Sequence, residues 1–154
     1  MKKIQYIFPI LLLMLLAVSC QEKYELIPPP NPDDYKAPPR FSTMFMVGDA
    51  TPNGWDIANS TALKASADDK NIFTWEGALT AGEVKFPINK ADGWGSAFFM
   101  AGQKDAKLEI NKPLLLRFSQ SGDGGSDDKF KLEEAGTYKL TINAIEETLL
   151  VEKK

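Results

Sequence analysis

Two tryptophans stand where an indole could meet a ligand. Trp55 lies in Thr51-Pro52-Asn53-Gly54-Trp55-Asp56 and Trp94 in Asp92-Gly93-Trp94-Gly95, each directly after a glycine inside a turn-forming cluster. A large aromatic on a polar loop either tucks into the body of the fold or meets a ligand, and sugar rings offer flat C–H faces that stack on indole. Lys85 is the third candidate. In Glu83-Val84-Lys85-Phe86-Pro87-Ile88 the apolar residues Val84, Phe86 and Ile88 point one way and Lys85 the other, so its side chain is expected to be held outward on a strand. Trp75 reads differently: it shares a face with Phe73 and Leu79 and is expected in the core.

Other chemistries find little support. The chain has no histidine and one cysteine, Cys20, which excludes Ser-His-Asp and Cys-His catalysis, His- or Cys-based zinc sites and an intramolecular disulfide. The pairs Glu133-Glu134 and Glu146-Glu147 could be imagined as the two carboxylates of a glycosidase, but they sit at strand ends and read as solvated charge. Residues 119–128 concentrate carboxylates in a Gly-rich loop, where calcium is the alternative to a plain flexible hairpin loop. The spacing lacks the alternating Asp, sixth-position Gly and twelfth-position Glu of an EF-hand, so the plain loop is expected. Accordingly no enzyme activity, no cofactor and no metal is expected. The net charge of -3 becomes about -5 without Lys2 and Lys3, which disfavours binding to a phosphate backbone and makes nucleic acid an unexpected partner.

The elements that would position these residues are strands. Hydrophobic residues make up 44% of the 154-residue chain and charged residues 25%, the balance of a folding sequence. From residue 40 onward the apolar pattern repeatedly has a period of two, clearest where Tyr138, Leu140 and Ile142 alternate with polar neighbours. Strands are expected at residues 41–47, 72–79, 83–88, 97–100, 114–119, 137–143 and 148–152, the last two joined as a hairpin through Glu146-Glu147. No stretch carries a convincing helical stripe. The expectation is one all-β domain over residues 40–154, an immunoglobulin-like antiparallel β-sandwich of about seven strands.

The N-terminus reads as an address. Lys2-Lys3, an apolar run from Ile4 to Val18 and the small residue Ser19 before Cys20 form an export signal over residues 1–19. Ala17-Val18-Ser19-Cys20 resembles the lipobox of bacterial lipoproteins, although Ala17 stands where Leu is usual. Cys20 would then be acylated and become the mature N-terminus, with several acyl chains holding the protein to a bilayer. Residues 20–39 follow as a tether, with six prolines between Ile27 and Pro39. Such a segment favours extended polyproline conformations of ~3.1 Å per residue.

The order of motifs carries a resemblance. Met46-Val47-Gly48-Asp49-Ala50-Thr51-Pro52-Asn53-Gly54-Trp55-Asp56, then Phe73-Thr74-Trp75-Glu76-Gly77-Ala78-Leu79, then Ala81-Gly82-Glu83-Val84-Lys85-Phe86-Pro87, then Trp94, then Gly136-Thr137-Tyr138-Lys139-Leu140-Thr141-Ile142 resembles the SusE/SusF-type starch-binding lipoproteins of Bacteroides outer membranes. The resemblance covers residues 41–154. It implies a β-sandwich carbohydrate-binding module, with Trp55 and Trp94 as stacking platforms for an arc of α-glucan and Lys85 as a hydrogen-bond donor to sugar hydroxyls. It also implies a lipid-anchored, surface-exposed place on the outer membrane beside a TonB-dependent transporter and other surface glycan-binding proteins. That family carries such modules in tandem, so the single module read here is expected to bind weakly, without the gain of linked sites.

The function expected from the sequence is therefore a non-catalytic lipoprotein that captures starch or a related α-glucan. Its rivals are an interaction subunit of a glycan-uptake complex that uses the two tryptophans to pack on a partner, and a small glycosidase. For the anchor, labelled fatty acid should enter the wild-type protein and not Cys20→Ala; equal labelling of both would contradict lipidation at Cys20.

Overall fold

The computed structural model describes residues 38–120 and 126–154. The expected export signal, Cys20, nearly all of the tether and residues 121–125 of the carboxylate-rich loop lie outside the described residues. What is described is all-β: β1 (Phe45–Met46), β2 (Thr61–Ala62), β3 (Lys64–Ala65), β4 (Ile72–Leu79), β5 (Gly82–Val84), β6 (Phe86–Pro87), β7 (Phe98–Ala101), β8 (Ala106–Lys107), β9 (Leu114–Ser119), β10 (Phe130–Leu132), β11 (Gly136–Asn143) and β12 (Thr148–Lys153). A single 3-10 turn, Gly93–Gly95, is the helical exception among the described residues.

The long alternating segments form the frame. Seven strands pair in the order β3-β4-β11-β12-β9-β7-β6, with β5-β10-β8 and β1-β2 as smaller sheets. Strand β9 joins the two halves of the large sheet, because Leu114 and Leu115 pair with β12 while Leu116 to Ser119 pair with β7. Pairing between strands is antiparallel except for the short β10–β8 ladder. The sheets share one core, in which Phe73, Leu140 and Val151 pack in a single cluster with Val84, Phe86, Phe99 and Phe130. On β11 the predicted alternation holds, with Tyr138, Leu140 and Ile142 essentially inaccessible. The hairpin that follows turns on Asn143, whose Oδ1 accepts the N–H groups of Ile145 and Glu146, both at 3.0 Å.

Three expectations are refined, the first being the strand expected over residues 41–47, which is shortened to β1. The single strand expected over residues 83–88 is split into β5 and β6, with Lys85 between them bonded to Val47 through reciprocal backbone hydrogen bonds of 3.0 Å. Trp75 does face the core side with Phe73 and Leu79, but it is half-buried and packs against the core from its margin. Its indole lies along the strand over Gly77, where a Cβ would stand 2.6 Å from Trp75 Cζ2. Full burial is prevented by position: β4 is flanked on its outer side only by the two-residue β3.

Trp75→Ala should therefore destabilise the protein by about 2–3 kcal/mol, below the ~3–5 kcal/mol of a fully buried aromatic. Urea denaturation measures it, and an unchanged midpoint would place Trp75 outside the packing.

Candidate functional site

The site begins with a strand that is buried on both faces. All four residues of β7 are buried, although only Phe99 and Ala101 belong to the main core. Phe98 and Met100 point the other way and join Val47 in a second, smaller apolar cluster, with Ile57 packed on it. A strand whose outer face is covered in this way needs a lid, and two loops supply it. Residues 48–60 fold back through Gly48 N–H to the Gly54 carbonyl at 2.9 Å and the Thr51 hydroxyl to the Gly48 carbonyl at 2.8 Å. Residues 89–96 close through the 3-10 turn and a reciprocal pair of Asn89–Asp92 bonds at 3.1 and 3.2 Å.

Each loop delivers one indole. The glycines before the two tryptophans, Gly54 and Gly93, have φ of 59° and 54°, a left-handed conformation that costs an L side chain roughly 1–2 kcal/mol. That backbone setting lets each loop turn and present the next residue. Trp55 and Trp94 remain 37% and 50% exposed, their ring centroids 6.3 Å apart and their planes tilted by 42°. Trp94 in turn stacks on Phe98, with 6.3 Å between centroids and 12° between planes.

Lys85 completes the arrangement in a way the strand pattern did not disclose. It points away from Val84 and Phe86 as expected, yet it is not held out in solvent: the residue is only 6% exposed. The correction has a clear physical cause. Its side chain runs under the lid, where Nζ lies 4.4 Å from the Phe98 ring centroid and 5.1 Å from that of Trp94, and it donates to Asp127 Oδ1 at 2.7 Å. A lysine ammonium enters such a place only with a counter-charge and polarisable faces around it. Asp127 also pairs through Oδ2 with Lys129 Nζ at 2.9 Å, and Lys129 Nζ lies 5.8 Å from the Trp55 centroid. Partial burial alone would raise the Asp127 pKa, but the hydrogen bonds and charges of Lys85 and Lys129 outweigh it and hold the carboxyl below its ordinary value. Asp127 and Lys129 further line a polar groove of about 150 Å³ with Glu83, Lys104, Asp105 and Asp128.

The three residues singled out from sequence, Trp55, Lys85 and Trp94, thus lie in one cluster, the two indoles at the surface and Lys85 buried beneath Trp94. Phe98, Asp127 and Lys129 belong to the same cluster and were not anticipated. The unbroken apolar run Phe98-Phe99-Met100 was the available signal for Phe98, since a strand of that kind is covered twice. Elsewhere three of the four carboxylates considered for catalysis are engaged in ion pairs. Glu133 pairs with Lys107 at 2.6 Å, Glu134 with Lys153 at 2.9 Å and Glu147 with Arg40 at 2.6 Å. The hydrogen bond from Lys153, followed by its charge, holds Glu134 below its ordinary pKa. Among the described residues no group of three or more His, Cys, Asp or Glu side chains could hold a metal ion.

Comparison with known proteins adds a family. Residues 43–150, a stretch that includes every residue of this cluster, match the family described as SusF/SusE starch specific CBMs. Among solved structures, the crystal structure of SusF from Bacteroides thetaiotaomicron is similar at 18% identity and a TM-score of 0.53, over 71% of this chain and 23% of that one. At that identity the likeness speaks for the fold, and this chain spans less than a quarter of the other. Comparison with curated proteins returns no match.

The Lys85 environment makes a stability prediction. Lys85→Met keeps the packing of the stem, and its partner Asp127, 57% exposed, can be rehydrated, so stability should stay within about 1 kcal/mol of wild type. Lys85→Glu puts two carboxylates together under the aromatic lid and should cost on the order of 3 kcal/mol. Equal losses for both in urea denaturation would show that the charge itself holds the loops down.

Proposed function

The chain belongs to the SusF/SusE family of starch-specific carbohydrate-binding modules, and on that premise we propose that it binds starch or a related α-glucan without cleaving it, at the site formed by the exposed Trp55 and Trp94 with Lys85 buried beneath Trp94. One observation carries the proposal: two exposed indoles from separate loops stand 6.3 Å apart with their planes tilted by 42°. Each indole offers a face to the C–H side of a pyranose ring. The tilt favours a chain that curves between neighbouring rings, as α-linked glucans do. The polar groove that adjoins the pair through Asp127 and Lys129 supplies hydrogen-bonding groups for sugar hydroxyls.

Hydrolysis is not part of the proposal. A general acid for glycoside cleavage is a carboxyl whose pKa is raised by its surroundings, whereas the shifted carboxyls among the described residues, Asp56, Asp127 and Glu134, are lowered. The wider setting rests on residues 1–39: a lipid at Cys20 and an extended tether would hold the module off the outer membrane. There it would deliver glucan to a polysaccharide utilisation system, with a TonB-dependent transporter and other surface glycan-binding proteins as its neighbours.

Calorimetry with a malto-oligosaccharide tests the reading. Loss of either platform, in Trp55→Ala or Trp94→Ala, should cost on the order of 1–3 kcal/mol, and no reducing sugar should be released by any form. Variants that fold and bind as well as wild type would contradict the proposed site, and sugar release by the wild type would contradict the non-catalytic role.

A further inference from the structure

We propose that Asp127 is a positioning residue of the sugar platform: its carboxylate sets the angle between Trp55 and Trp94 by holding, at the same time, the lysine associated with each. This rests on the glucan-binding reading above and deepens it. The geometry is a bridge. Oδ1 of Asp127 takes Lys85 Nζ at 2.7 Å and Oδ2 takes Lys129 Nζ at 2.9 Å. Lys85 Nζ lies 5.1 Å from the Trp94 centroid, and Lys129 Nζ lies 5.8 Å from the Trp55 centroid. One carboxylate therefore fixes the separation of two ammonium groups, and each ammonium is drawn to one indole face.

The two indoles come from different loops, and Asp127 comes from a third segment, 42 residues beyond Lys85. A second tie fixes that segment, since Lys129 Nζ also donates to the Asp127 carbonyl at 3.0 Å. Each carboxylate oxygen takes one lysine, and through those lysines Asp127 acts on the two rings that face the sugar. Without the bridge, Lys85 would lose its counter-charge in a nearly buried position and turn toward water, and Trp94 and Trp55 would sample angles independently. Glucan binding would then have to order both side chains, a cost that the bridge meets in advance.

Circular dichroism reads the platform without sugar, because two indoles at this distance give an exciton couplet; its loss in Trp55→Phe and in Trp94→Phe assigns it to the pair. Asp127→Asn should lose the couplet and bind maltoheptaose about tenfold more weakly, while Asp127→Glu, which keeps a carboxylate, should restore part of both. Lys129→Met releases only the Trp55 side and should weaken the couplet, which keeps the test open should Asp127→Asn fold poorly. All forms are compared at a temperature where their melts show them folded. An Asp127→Asn protein that keeps both couplet and affinity would overturn the proposal, as would one that loses affinity with the couplet intact, since Asp127 would then contact sugar directly. A wild type whose couplet depends on Asp127 but which binds no maltoheptaose would overturn the glucan-binding reading and leave the positioning role standing.

Discussion

A single ammonium group that is almost fully removed from water organises the candidate site. Lys85 sits on the outer side of a short backbone pairing with Val47, and its charge has to be matched where it lies. Three things converge on it: the Phe98 ring from β7, the Trp94 ring from the 89–96 loop and the Asp127 carboxylate. The pair contributes little net stability, because desolvating Lys85 offsets much of the Coulombic gain while Asp127, 57% exposed, stays hydrated. Its value here is geometric. It brings β7, the 89–96 loop and the Asp127 segment to one point, where Trp94 stays half-exposed.

The same logic explains the division of the aromatics. The main core includes the large inward residues of the alternating strand β11, and Phe99 on β7 belongs to it as well. Phe98, its neighbour on the opposite face, belongs to the second cluster, and the stacked Trp94 continues that cluster outward to the surface. The platform is thus built as a layered extension of the sheet: backbone, Phe98, Trp94, then solvent. A ring stacked on another ring has less freedom to rotate, which suits the stacking of flat sugar rings proposed for Trp94.

Much of this was legible in the sequence, and the limits were physical. The strands of six to eight residues, β4, β9, β11 and β12, carry enough alternation to be read with nearly their observed bounds. The two-residue strands β2, β3 and β8 have no period to detect, and β10 is embedded in the charged run Asp127-Asp128-Lys129-Phe130-Lys131-Leu132. For Lys85 the period of two gave the correct side of the strand but not its burial, because what covers it comes from elsewhere in the chain. The glycines before Trp55 and Trp94 signalled presented side chains. Asp127 was one acid among several in a polar loop, and nothing local marks it as the counter-charge of a lysine 42 residues earlier.

The central claim is that Trp55 and Trp94, and not Trp75, face the glucan. The three indole N–H groups of the protein give three proton–nitrogen resonances, assigned by single Trp→Phe variants and followed while maltoheptaose is added. The account predicts that the Trp55 and Trp94 signals move together along one binding curve while the Trp75 signal, from a ring packed against the core, stays in place. Movement of the Trp75 signal alone, or of none of the three at saturating sugar, would contradict it.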